Sequence, residues 1–191
     1  LTLNETLAEA LKANNNLQVG FDPLTLSAAH VQQLERSGVG LVPLVSNPID
    51  ALRGDESTAL AQSPVYPVPV EYTGLSITEK LKALRGQLKA KGADLLPISK
   101  LDEIAWLFNL RGSDIAYNPV FLAYALVSHQ QAWLFTNTTR LKVELPAEVA
   151  LQPYEEYFQA LAALAKGKTV LFSPASHSEA TRQALQAAQC L

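Results

Sequence analysis

Methionine is missing from this sequence and cysteine occurs once, as Cys190. A single thiol excludes an intrachain disulfide and points to a reducing, cytoplasmic setting. With no methionine, residue 1 reads as something other than a translation start, so the chain is expected to be a processed or excised piece. No apolar run approaches the roughly eighteen residues of a membrane span, and no charged-then-apolar leader opens the chain. A basic stripe is also missing: 15 Lys and Arg stand against 18 Asp and Glu, for a net charge of −3. That balance argues against nucleic acid and anionic membrane as partners.

Recognisable catalytic chemistry is absent too. His30, His129 and His177 have no second histidine or cysteine at metal-ligand spacing, and no His-Glu-x-x-His occurs. No Gly-x-Gly-x-x-Gly, phosphate loop or Gly-x-Ser-x-Gly elbow is present. Arg53-Gly54-Asp55 spells an adhesion tripeptide, but in a reducing compartment it reads as a solvated turn. Asn4-Glu5-Thr6 and Asn137-Thr138-Thr139 match glycosylation acceptors, which matter only in a secreted protein. Titratable residues do not cluster, which counts against an unrecognised small enzyme. No catalytic residue, metal ligand or cofactor site is expected within the chain.

What is present is a globular composition: 191 residues, 48% apolar and 17% charged, enough for one large or two small domains. Helix and strand alternate. Asn4 is placed to cap a first helix carrying Leu7 and Leu11, ended by Asn14-Asn15-Asn16. Leu17 to Phe21 reads as a strand. A helix with Val31 and Leu34 inward stops at Gly38. Gly40 to Val45 reads as an edge or bulged strand because of Pro43. Two strands and two helices leave a sheet edge open, so this unit is expected to lack a preceding part. Arg53 to Tyr72, with Gly54, Pro64, Pro67 and Pro69, has the composition of an extended connector, in which Pro64 to Val70 could lie as a strap. Ser76 and Glu79 form a capping box, and Ile77, Leu81, Leu84 and Leu88 a helical stripe closed by Gly92. Ala93 to Ile98 is a short buried strand. Leu122–Val127 and Ala132–Thr136 read as a hairpin. Tyr154, Tyr157, Phe158, Leu161 and Leu164 mark a helix, and Thr169 to Phe172 a strand. A last helix opens on Ser176 and Glu179 as a second capping box and carries Ala184, Leu185 and Ala188 inward. The pattern predicts an α/β fold with a mixed sheet flanked by helices.

The most committed polar stretch runs from Leu101 to Val120. Ser99 with Asp102 fits a helix start, and Ile104, Leu107 and Phe108 share one face. Asn109, Arg111, Gly112, Ser113 and Asp114 then form a polar knot, and Asn118-Pro119 marks a turn. Arg111 and Asp114 have two readings: a structural pair satisfying the loop backbone, or an Arg111 that faces a substrate or partner carboxylate bidentately.

Leu101-Asp102-Glu103-Ile104-Ala105-Trp106-Leu107-Phe108-Asn109-Leu110-Arg111-Gly112-Ser113-Asp114, followed by Asn118-Pro119-Val120-Phe121, resembles the second domain of three-domain aminopeptidase P (Xaa-Pro aminopeptidase). Val19-Gly20-Phe21-Asp22-Pro23, Leu41-Val42-Pro43-Leu44 and Tyr72-Thr73-Gly74 with Lys80 extend the resemblance over essentially the whole chain. It implies a creatinase N-terminal-like, ribonuclease H-like mixed sheet. Residues 1–55 would be the end of a first such domain, 56–72 a linker and 73–191 a second domain. The implied whole protein is a metal-dependent hydrolase that removes the N-terminal residue from peptides with proline second. Its C-terminal pita-bread domain, absent here, would hold two divalent metals, manganese in most members, on two Asp, one His and two Glu. This region would then shape substrate access and contact that catalytic domain, with proline-containing peptides as substrates and a homodimer compatible with the family. Arg111, Asp114, Tyr117 and Asn118 are the candidate substrate-mouth or interdomain contacts. The alternative is a stand-alone binding or scaffold module with the same fold and no peptidase activity.

Overall fold

The computed structural model describes residues 3–12, 18–53 and 63–190. They form two compact units, one of residues 1–59 with 173–183 and one of residues 60–172 with 184–191. The expected Asn14–Asn16 helix stop lies outside the described residues, as do Leu17 and the connector at residues 54–62.

The first unit runs α1 (Leu3–Lys12), β1 (Val19–Phe21), α2 (Ala28–Arg36), β2 (Leu41–Pro43) and α3 (Pro48–Arg53). Helix α1 begins before Asn4, which therefore sits in the first turn rather than at the cap. Strands β1 and β2 are parallel, Val19 opposite Leu41 and Phe21 opposite Pro43. Pro43 is tolerated as the last residue of a strand paired on one side. In α2 the Ser27 side chain accepts from His30 N at 3.2 Å, Val31 and Leu34 are buried, and Gly38 takes the left-handed stop at φ +80°. Helix α3 is not among the expected elements, although its signals are in the sequence. Asn47 Oδ1 accepts from Ile49 N at 2.9 Å, and Pro48 occupies the first helical position, where a missing N–H costs nothing. Residues 173–183 complete the unit. Ala28 N donates to His177 O at 3.0 Å, Ala29 N to Pro174 O at 2.9 Å, Glu179 N to Leu26 O at 2.8 Å and Ala180 N to Pro23 O at 2.9 Å.

The second unit is built on a four-stranded sheet in the order β4–β6–β7–β8, where β4 is Leu95–Ile98, β6 Tyr124–Ser128, β7 Ala132–Thr136 and β8 Val149–Pro153. The first two pairings are antiparallel and β7–β8 is parallel, which is the mixed sheet the sequence predicts. Residues alternate between two cores. Ala125, Val127, Ala132 and Leu134 face a cluster with Leu81 from α5 (Ile77–Ala90), Ile104 and Leu107 from α6 (Leu101–Leu107), and Phe108 just after it. Leu126 and Phe135 face Tyr157, Leu161 and Ala165 from α7 (Tyr157–Ala165), with Leu185 and Ala188 at the end of α8 (Glu179–Ala187). The period of two thus buries both faces of the sheet.

Pro64 to Val70 lies as a strap. Its β3 (Tyr66–Pro67) pairs antiparallel with β5 (Leu110–Arg111), and Val68 N donates to Asn109 O at 2.8 Å. It leads into a short turn of helix, α4 (Val70–Thr73). The Ser76–Glu79 capping box forms as predicted.

Three local expectations are corrected. The strand expected at Thr169 to Phe172 is reduced to one parallel bridge, Leu95 with Val170. Leu95 N donates to Thr169 O at 3.3 Å and Leu171 N to Leu95 O at 2.8 Å. The next rung would need an N–H from Pro97, which has none. The second capping box does not form. The last helix starts at Glu179, and Thr181 N is capped by Ser178 Oγ at 3.4 Å, while Glu179 pairs with Arg182 instead. The cap position of α6 falls on Lys100, with no side-chain cap, so Ser99 is one residue too early. Strand β8, with weak alternation and only one β-branched residue, carries too little pattern to be read from the sequence.

Candidate functional site

The polar knot after α6 is built around two cations at the end of that helix. Lys80, on the buried stripe of α5, is only 2% exposed. Its Nζ donates to Trp106 O at 2.7 Å and to Asn109 Oδ1 at 2.5 Å, and it lies 4.3 Å from the centre of the Trp106 ring. Asn109 takes a left-handed φ of +51° and spends its amide on Leu75 O at 2.9 Å. Arg111 Nη1 donates to Ala105 O at 2.8 Å and to Leu110 O at 2.9 Å. The two cations therefore cap neighbouring carbonyls at the negative end of α6. Burial, and then the positive charge of Arg111, hold the Lys80 ammonium below its usual pKa.

Arg111 is half-buried; it and Asp114 each bond loop backbone, as the structural reading has it, but they do not pair with each other. Asp114 binds Arg140 instead, Oδ2 to Nη2 at 2.6 Å, with the two side chains 0% and 4% exposed. The same Oδ2 accepts from Leu122 N at 2.6 Å, and Asp114 N donates to Val120 O at 3.1 Å. This ties both ends of the loop together. Gly112 serves the knot by what it lacks. A Cβ there would stand 2.7 Å from Phe121 Cβ, so the glycine permits a close approach of two chain segments.

Between these anchors the chain makes a tight turn. Asn118 N donates to Ile115 O at 3.1 Å and Val120 N to Asn118 O at 2.8 Å. Tyr117 sits in the turn at φ +63°, its side chain fully exposed at 108% of the reference area. Of the four predicted residues, the structure places Asp114 in the interior, Asn118 in the turn, Tyr117 at its tip and Arg111 back against α6. Sequence reasoning put Asn109 in the knot and Lys80 in the resemblance without giving either its bonding role, and it missed Arg140 and the steric role of Gly112. Lys80 had a signal: it falls three residues after Ile77 on the buried stripe. Arg140, distant in sequence, had none.

Next to the knot is a cleft of about 430 Å³ lined by residues that include Val68, Ser76, Phe108, Asn109, Leu110 and Leu145. A second hollow of about 310 Å³ includes Asp94, His129, Trp133 and Lys168 in its lining, with His129 Nε2 3.8 Å from Asp94 Oδ1. Among the described residues no group of three or more His, Cys, Asp or Glu could hold a metal ion. The donor chemistry agrees: Asp114 is spent on Arg140, and Glu148 is spent on Arg85. A two-metal centre does not fit the described residues.

Residues 56–191, which hold the mixed, helix-flanked sheet and this locked loop, match the Creatinase/Prolidase N-terminal domain family. The chain belongs to that family. Within it, the chain is similar to probable Xaa-Pro aminopeptidase P proteins. It is 45% identical over 175 residues to that of Arthroderma gypseum, covering 87% of this chain and 27% of that protein. It is 40% identical over 173 residues to that of Coccidioides posadasii, covering 86% and 26%. In structure it is similar to the X-prolyl aminopeptidase of Caenorhabditis elegans, described as a cytosolic enzyme with a di-nuclear active site. The TM-score is 0.84 at 27% identity, over 95% of this chain and 32% of that one. The chain thus spans about a quarter of the length of the curated relatives it matches. No helix among the described residues is long and apolar enough to cross a membrane.

Proposed function

We propose that the chain is the non-catalytic N-terminal portion of an Xaa-Pro aminopeptidase, a metallopeptidase that removes the residue preceding a penultimate proline. The supporting observation is the 45% identity carried across 87% of the chain. In this reading the metals, manganese by family resemblance, belong to a catalytic domain in the same polypeptide. The present region narrows access to short proline-containing peptides and carries the domain and subunit contacts. The enzyme works in the cytoplasm, as the nematode protein's description suggests. Arg111, Asp114, Tyr117 and Asn118 form the contact loop, with Asp114 as its internal anchor.

Expression of the full-length gene product tests this. It is expected to cleave an Xaa-Pro-Xaa tripeptide in the presence of manganese and to leave an Xaa-Ala-Xaa control intact. A full-length product that cleaves neither, or one no larger than this chain, would instead support a stand-alone binding module.

A further inference from the structure

We propose that Tyr117, with Ile115 beside it, is a docking knob that seats in an apolar pocket elsewhere in the same polypeptide. The proposal rests on the reading of the chain as part of a longer protein, and it selects one contact group from the candidate loop.

The loop is rigid at its base and costly at its tip. Asp114 is held by Arg140, Leu122 N and Val120 O, and Gly112 lets the Phe121 strand close against it. On that base stands a bulky aromatic residue in the left-handed region at φ +63°, where residues other than glycine, asparagine and aspartate seldom go. The turn is closed by backbone bonds from Asn118 N to Ile115 O and from Val120 N to Asn118 O, but the aromatic ring gains no burial: Tyr117 is fully exposed, and Ile115 is 43% exposed beside it. Tyr72 is also exposed, but on an ordinary helical turn with negative φ. A strained aromatic on a locked platform is a preorganised anchor, the kind of residue that dominates interfaces when it fills a pocket. Its hydroxyl requires a hydrogen-bond partner once buried, so the receiving pocket is apolar with an acceptor at its end.

The size of the knob selects the partner. A buried tyrosine removes about 150–250 Å² from water, far below the roughly 1,200 Å² of a stable interface between separate proteins. A second copy would not be held by it. A segment of the same chain would, because a tether raises the effective concentration to about millimolar without further contacts. Proteins resembling this one carry about three times as much additional chain.

The test uses the full-length protein with a photo-crosslinking benzoylphenylalanine at position 117. The expected adduct joins residue 117 to a peptide of the same molecule lying beyond residue 191. An adduct between two copies, or a probe consumed only by solvent, overturns the proposal. Two variants give a second readout. Tyr117→Phe keeps the ring, whereas Tyr117→Asn removes it and suits a left-handed backbone better. The asparagine variant of the full-length protein is expected to melt below the phenylalanine variant, and equal or reversed melting temperatures count against the knob. Tripeptide turnover is assayed on the same preparations. Turnover without an intramolecular adduct removes the knob alone. An adduct without turnover removes the peptidase reading and leaves the knob standing.

Discussion

Lys80 puts an ammonium where the stripe on α5 calls for a hydrocarbon, and its proton is consequently easier to remove than in the unfolded chain. The sign of the effect follows from linkage. Below its lowered folded pKa both states carry the proton and the charge penalty on folding is complete. Between that value and 10.5, its ordinary value, the unfolded state binds more protons, so stability rises with pH. Lys80→Met is expected to abolish that rise in urea midpoints taken as the pH climbs toward 10.5, relative to the unmodified protein. At pH 7 it should cost about 1–3 kcal/mol for leaving Trp106 O and Asn109 Oδ1 without a donor. A wild-type protein with no rise over this window would refute the account. Asp114→Ala leaves a buried Arg140 without its carboxylate, a change worth about 3–5 kcal/mol in chemical denaturation. Gly112→Ala should cost about 1–3 kcal/mol. Phe121→Leu should not relieve it, because the clash is with the β-carbon that leucine retains. Arg111→Ala is expected to lower the melting temperature while leaving KM for tripeptides within twofold, since the guanidinium is bonded to backbone carbonyls. A tenfold rise in KM would instead put Arg111 at the substrate mouth. The polar knot was legible as a place of fixed geometry. Its wiring was not, because Arg140 is 26 residues from Asp114 and a long-range ion pair leaves no periodic trace.

Secondary elements with a local chemical cause were readable. The Ser76–Glu79 box, the stop at Gly38 and the β6–β7 hairpin each depend on residues within a few positions of one another. Elements fixed by tertiary partners were not. Residues 169–172 have strand composition, but the adjacent chain offers Pro97 where an N–H is required. Ser176 and Ser178 both suit a cap, and the bridge between Ser27 and Ser178 decides between them by fixing where α8 starts. Ser178→Ala should therefore cost about 1 kcal/mol through loss of the cap. Calorimetry showing no loss would return the cap to Ser176.

At the scale of the whole molecule, the chain is a member of the Creatinase/Prolidase N-terminal domain family that spans about a quarter of its curated relatives. Metal analysis on this chain alone is expected to find no stoichiometric manganese, because a two-metal centre needs several carboxylates and a histidine converging on one point. One mole of metal per mole of chain would overturn that expectation. The return of residues 173–183 to the unit formed by residues 1–59 has a consequence in time. A ribosome delivers about 5–20 residues per second, so the hundred-odd residues between those segments take roughly ten seconds to appear. Throughout that interval, Pro23, Leu26, Ala28 and Ala29 lack the partners they bond to in the finished protein. Of the two units, the one begun earlier thus stays incomplete until residues 173–183 emerge, just ahead of the second unit's own last segment at residues 184–191. A nascent chain stalled before residue 173 would show the second unit's sheet forming while the first remained open to chaperones.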